Sequence, residues 1–460
     1  MKRTLIREIA ELYPFDLGDS RLQDGYLFIE EGLITALGCG EPPLALRMAA
    51  DQVIIARDRL VLPGFVNTHH HFYQTLTRNV RAVQNSKLED WILHLYRLWQ
   101  GLDEEMVYQS SLVALLEMLK SGVTTTADHH YVFTPGHPKM IDAEIEAARA
   151  VGVRFHPTRG SMSLSLEEGG LPPRSLVQRE EQILEDCRRL VGRYHDRSAQ
   201  SMVRIGLAPC SLYEVTPSLM KETLRLAEEE DLLLHTHLSE TQDEVFFCRE
   251  RFGRNPVDLM DDLGWLTPRA WFAHFIHLSE NELAKAGRAG VGMSYCPSSN
   301  MRLASGIASI GPLQAAGVRT SIGIDGSASN DMNNMVLEMR TGLLLQRLRN
   351  GAGSMTALQI LSMATRQGAA VLGRGEEIGS LEIGKAADLV GFRLDTLELA
   401  GGLDEPLGAL LFCDVKGADL CLVNGEILIR NGELQKWDAE ELEAIIRCQN
   451  RNSRKLIRGE

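Results

Sequence analysis

The chain has 460 residues, 44% of them apolar and 24% charged, with a formal net charge of -14. That length suits one large barrel-type domain with a smaller companion, and scattered charge in an ordinary apolar content excludes a disordered protein. The acidic balance, with no Lys/Arg block beyond a mildly basic end (Arg451, Arg454, Lys455, Arg458), excludes a general nucleic-acid binder, and eight cysteines without a CxxC pair exclude a disulfide framework or Cys-rich zinc site.

The first twenty residues carry acids early and no long apolar run, so no signal peptide is read. No apolar stretch is long enough to span a bilayer, and a cytoplasmic protein with no membrane partner is expected. From Met1 to about Leu62, β-like runs such as GYLFIEEGLITALG alternate with Gly turns, as in short hairpins. The middle then alternates apolar runs with helical patterns, the signature of βα units. Eight strands are predicted: Val61 to His71, Gly122 to His130, Val153 to Gly160, Val203 to Cys210, Leu232 to Glu240, Trp271 to Leu278, Val291 to Asn300 and Val318 to Gly326. Between them, Glu104 to Lys120 reads as a helix ending at Ser121–Gly122, and Thr216–Pro217 opens a helix through Glu230. Ser279 with Glu282 forms a capping box ahead of another helix. Eight is the count a closed α/β barrel of the (β/α)8 TIM type needs, although a doubly wound sheet uses the same alternation. From about Arg374 to Lys436 the short β-like runs return, and Trp437 to Arg458 reads as a terminal helix. The expected division is residues 1–62 with 374–436 as one small β-domain, 63–373 as the barrel, and 437–460 as a C-terminal helix.

Chemistry gathers where the predicted strands end, which in such barrels is one mouth. His69 and His71 are two apart on a strand and point to the same face, with His70 turned the other way. Two neutral imidazoles on one face can chelate a single cation. His235 and His237 repeat the spacing in LHTHLSE. His237, nearer the strand end, is the preferred ligand, and His235 lies deeper. Glu240, three residues on, is placed to take a proton from activated water and pass it to a leaving group. His274 and His277 sit on the sixth strand and just beyond it. Asp325, at the end of the eighth, would add a carboxylate to three imidazoles in a mixed N/O site. The only lysines between Gly122 and His237 are Lys139 and Lys221, in predicted loop and helix, so no strand-end lysine is available to bridge two metals and one metal is expected.

The motifs PGFVNTHHH, HTHLSE, AHFIHLSE and IGIDGSASN, with the tail IGSLEIGKAADLVGF, resemble the amidohydrolase superfamily over nearly the whole chain, in its branch of guanine, cytosine and adenosine-type deaminases and triazine hydrolases. The resemblance implies one zinc per subunit (Fe2+ being the other candidate) held by His69, His71, His237 and Asp325. It also implies Glu240 and His274 as proton carriers, with Asp325 assisting them, and a β-sandwich made from both termini. NTHHHFYQTLTR, TTTADHHYVF, TRGSMSLSLEEGGLPP, LAPCSLYEVTP and CPSSNMRLASG are most similar to the 8-oxoguanine deaminases, so hydrolytic deamination of a free amino-purine to urate and ammonia is implied. By similarity to guanine deaminases, Gln74 would bind the purine, Cys210 occupies a position often held by arginine, and Trp91 and Arg159 are candidates for stacking and for a carbonyl. Leu212 and Tyr213 depart from the usual Pro and aromatic, and Tyr213 would edge the pocket. Guanine, isoxanthopterin and amino-triazines remain alternative substrates. A non-catalytic scaffold of the same fold and a cyclic-amide or phosphotriester hydrolase are the rival classes. A small heterocyclic partner and a homo-oligomer are expected.

Overall fold

The computed structural model describes residues 2–459. At its centre are eight strands: β1 (Phe65–Asn67), β2 (Val123–His130), β3 (Arg154–Ser161), β4 (Gly206–Pro209), β5 (Leu233–Leu238), β6 (Ala270–His274), β7 (Gly292–Tyr295) and β8 (Arg319–Ile322). Each runs parallel to the next in sequence. The seam between β8 and β1 is closed at Thr68, whose N–H and hydroxyl both donate to the Ile322 carbonyl, at 3.3 and 3.0 Å. The strands form a (β/α)8 barrel, and the doubly wound alternative is set aside.

Strands buried on both faces normally read as continuous apolar runs. Here β2 and β3 are wholly buried yet most of their side chains are polar. Such groups are tolerated only where they find partners. Thr68 Oγ1, for example, lies 2.7 Å from both Ser294 Oγ and Ser321 Oγ. The barrel interior is therefore a hydrogen-bonded layer rather than an oily one.

The surrounding helices follow their caps. Glu104–Lys120 forms as predicted, with the Asp103 carboxylate accepting from Met106 N at 2.8 Å. Pro217–Glu229 is capped by Thr216, and Glu280–Ala289 by the reciprocal pair Ser279 and Glu282. The terminal helix is Ala439–Arg458. It begins two residues later than Trp437 because Asp438 caps it, accepting from Glu441 N. A helix over Pro297–Arg302 lies where the sequence suggested strand, since Pro297 ends the β7 ladder and opens a first turn.

Both flanks meet in one mixed nine-stranded sheet. The two halves join where Arg59–Pro63 runs antiparallel to Leu389–Arg393. Buried Arg154 on β3 ties the barrel to this sheet through a bidentate pair with Asp388, at 2.9 and 3.0 Å. Removing one member of such a pair strands the other charge, at a cost of about 3–5 kcal/mol.

Candidate active site

The β1 ladder stops at Asn67, short of the histidines, but the backbone beyond it stays bonded to both neighbours. His129 N donates to His70 O at 2.8 Å, and Asp325 N donates to His69 O at 3.0 Å. His69 and His71 thus keep the alternation the sequence implied, with ring centroids 4.7 Å apart. His70 turns away, its Nε2 2.8 Å from Asn333 Oδ1. Ser239, His274 and Asp325 adopt left-handed backbone, with φ of 53°, 70° and 67°. Non-glycine residues rarely accept that conformation outside sites where surrounding structure enforces it.

Fixed tautomers follow from the hydrogen bonds around the histidines. His71 Nδ1 is 2.7 Å from His129 O and His237 Nδ1 is 2.8 Å from Cys210 O, and a carbonyl only accepts, so both Nδ1 atoms carry the proton. His235 Nδ1 likewise donates to Trp271 O at 2.9 Å, leaving its Nε2 to accept from His69 Nδ1 at 2.8 Å. All three Nε2 atoms of His69, His71 and His237 are therefore bare lone pairs. Those of His71 and His237 face each other at 3.2 Å, and that of His69 is buried without a partner. Burial holds His71 and His237 down to about 4 and drives His69 well below its ordinary value, so none is protonated at neutral pH.

Asp325 Oδ1 lies 3.4 Å from the Nε2 atoms of both His69 and His71. Lone pairs and a carboxylate oxygen crowded together repel one another unless a cation lies between them. Zinc–nitrogen bonds of about 2.0–2.1 Å at tetrahedral angles put ligand atoms about 3.3–3.4 Å apart. The separations of 3.2, 3.4 and 3.4 Å match that spacing, so these residues fit a zinc ion.

Glu240 and His274 stand beside this cluster. His274 Nε2 is 3.5 Å from Glu240 Oε2 and 3.9 Å from Asp325 Oδ2, and its ring stacks on that of His237 with centroids 5.5 Å apart. The Asn300 amide nitrogen lies 2.8 Å from His274 Nδ1, which as acceptor leaves the His274 proton on Nε2, facing the carboxylates. Burial, then the Asp325 charge, pushes the Glu240 carboxyl well above the usual range, and Ser305 Oγ donates to its Oε1 at 3.0 Å. Glu244 accepts from Glu240 N at 2.9 Å, and burial raises it to about 7.

His71, His237, Glu240, Glu244, His274 and Asp325 line one cavity. Gln74, Trp91, Cys210 and Tyr213 line it too. Both amide atoms of Gln74 are buried and without partners, and Gly326 makes room for them, since a Cβ there would lie 2.0 Å from Gln74 Oε1. The Trp91 indole N–H donates to Ala328 O at 3.1 Å. Tyr213 packs its ring on Phe247, with centroids 4.6 Å apart. Arg159 does not reach the cavity. Its guanidinium is turned into the helical layer, bonded to Asp186 and Gln178 at 3.0 and 2.9 Å and lying 4.0 Å over the Phe133 ring. On β3 it sits on the face opposite the barrel interior, which is why the sequence expectation of a carbonyl contact fails. His277 is also apart, its Nε2 2.7 Å from Ser305 O.

The sequence reading missed His129, Asn300, Ser305, Glu214 and Glu244. His129 lies one residue from the end of β2, and its ring stacks on His237 at 4.8 Å, so the same strand-end rule would have found it. Glu214, Asn300 and Ser305 sit in turns and a short helix after β4 and β7, where no spacing marks them, and Glu244 lies in the first turn of the helix Gln242–Phe252, three residues after its cap Thr241.

A family model described as amidohydrolase family matches residues 60–422. The chain is 46% identical over 460 residues to an 8-oxoguanine deaminase from Pseudomonas aeruginosa, covering 100% of both chains. It is 33% identical to an isoxanthopterin deaminase from an unknown prokaryotic organism, covering 88% of each. Among solved structures, an atrazine chlorohydrolase from Arthrobacter aurescens complexed with zinc superposes with a TM-score of 0.92 at 29% identity, covering 98% of this chain and all of that one.

Proposed function

The chain belongs to the amidohydrolase family, and from that premise we propose that it is a zinc-dependent deaminase of a free amino-purine, converting 8-oxoguanine and water to urate and ammonia. The observation that carries this reading is the convergence of three bare imidazole lone pairs and a carboxylate beside Glu240, in one cavity. A non-catalytic scaffold has no need of such a cluster.

His69, His71, His237 and Asp325 would hold the zinc, which when bound supplies Lewis acidity that readies water as a nucleophile near neutral pH. Glu240 takes the proton from the attacking water as oxygen bonds to the ring carbon bearing the amino group. It then hands that proton to the departing nitrogen, a relay suited to a carboxyl whose affinity for protons burial has raised. His274 offers its Nε2 proton to the oxygen added at that carbon. Gln74 supplies both a donor and an acceptor to hold the ring in place.

The test is direct: purified protein with 8-oxoguanine should release ammonia and urate in equal amounts, and absence of both overturns the reading. Isoxanthopterin is the second candidate substrate, favoured by the 33% identical relative. A cytoplasmic homo-oligomer belongs to the same proposal. Leu344 and Leu348 on the helix Met335–Asn350 and nearby Phe412 are exposed apolar side chains that a second copy would cover, and no helix among the described residues is long and apolar enough to cross a membrane.

A further inference from the structure

The cavity is lined by four carboxyl groups, Asp325, Glu214, Glu240 and Glu244, and by no lysine or arginine among the described residues. Asp325 faces the histidines, Glu240 has its proton-carrying place, and Glu244 holds the Glu240 backbone. Glu214 is left without a role in the chemistry. It is 2% exposed and sits on the wall formed by the segment after β4 and the helix Leu88–Trp99. Ser211 Oγ donates to one carboxyl oxygen and Tyr96 OH to the other, at 3.3 Å. The weak Cys210 thiol is its other side-chain partner, a carboxylate's roughly four acceptor positions still leave room for a further donor, and no cation is paired with it. A buried carboxyl with spare acceptors in a ligand cavity is costly unless a donor arrives with the ligand. An anionic or phosphorylated ligand would be repelled here, and a neutral ring rich in N–H groups would be drawn in.

We propose that Glu214 is a specificity-determining residue, whose carboxyl accepts an N–H from the five-membered ring of the purine, the part that carries no leaving group. The inference rests on the deaminase reading above. In 8-oxoguanine that ring bears two N–H groups, at N7 and N9, flanking the C8 carbonyl. Glu214 makes no hydrogen bond to any of the metal-cluster side chains, and it comes from a different segment of the cavity wall, after β4, so it can meet the ring that does not react.

The experiment compares wild type, Glu214→Gln and Glu214→Ala on 8-oxoguanine and its 7-methyl and 9-methyl derivatives, with zinc content measured alongside. In wild type, methylation at one of the two nitrogens should lower kcat/KM by about 10- to 100-fold, the worth of a charge-assisted hydrogen bond. Glu214→Ala should lose a similar factor on 8-oxoguanine itself, through KM, with zinc retained and kcat within about threefold. It should no longer distinguish that methylated compound from the parent, and Glu214→Gln, which keeps the shape and one acceptor, should fall between. Variants that discriminate among the three compounds as wild type does would overturn the proposal and leave the deaminase reading intact. A uniform loss on all three compounds with loss of zinc would do the same, marking Glu214 as merely structural. A wild-type protein that turns over none of the three would overturn both.

Discussion

Replacing His235 by phenylalanine should loosen the metal without touching a ligand. His235 accepts the His69 Nδ1 proton at 2.8 Å and is itself fixed by the Trp271 carbonyl at 2.9 Å. That relay leaves the His69 Nε2 lone pair free to face Asp325 at 3.4 Å. Phenylalanine keeps the ring stacked on Trp271, now 4.3 Å between centroids, but removes the acceptor. His69 would then bury an N–H with no partner, and its two tautomers would compete. Partners of this kind contribute about 10- to 100-fold to metal affinity, or about 1.4–2.7 kcal/mol. The assay is zinc affinity by competition with a chromophoric chelator, with circular dichroism to confirm the fold. A zinc affinity equal to wild type in a folded variant would refute the argument from tautomers.

Glu240→Gln is nearly isosteric and leaves the four metal-holding side chains in place. It should retain zinc while ammonia release falls by about 10²- to 10⁴-fold, and near-normal turnover would remove Glu240 from its role. Asp325→Asn should lower both zinc content and rate, because it takes the negative charge out of a cluster of neutral imidazoles; full occupancy with unchanged kinetics would count against it. Acid should unfold the protein early. Burial holds His70, His71, His130 and His237 to about 4, so between their unfolded value of 6.5 and that point only the unfolded chain takes up their protons, and stability falls as pH falls. Glu214, Glu244 and Glu338, raised by burial from 4.5 to about 7, act in the opposite sense, and their contribution is lost as pH rises through that window. The four histidines exceed the three carboxyls by one group, so stability falls by about 1.4 kcal/mol per pH unit. Urea midpoints that stay level from about pH 6.5 to about pH 5 would contradict this balance.

The histidine pairs were legible because a two-residue spacing at a strand end fixes which side chains share a face, whatever the rest of the fold does. His69, His71 and His237 come together for that reason, and even the early end of β1 at Asn67 leaves the alternation intact. Caps at Asp103, Thr216 and Ser279 located their helices through local hydrogen bonds alone. Arg159 was misjudged because strand alternation decides between the cavity and the helical layer, and a residue type cannot. Asn300 and Ser305 were illegible because their roles arise from folding the segment after β7 over His274 and Glu240, a long-range event with no periodic trace.

Everything in the mechanism depends on a metal joining His69, His71, His237 and Asp325. The most direct measurement is metal content and turnover on one preparation, before chelation, after it, and after zinc is restored. One zinc per chain, activity lost on its removal and regained on its return, is the expected result. Undiminished ammonia release from metal-free protein would contradict the account.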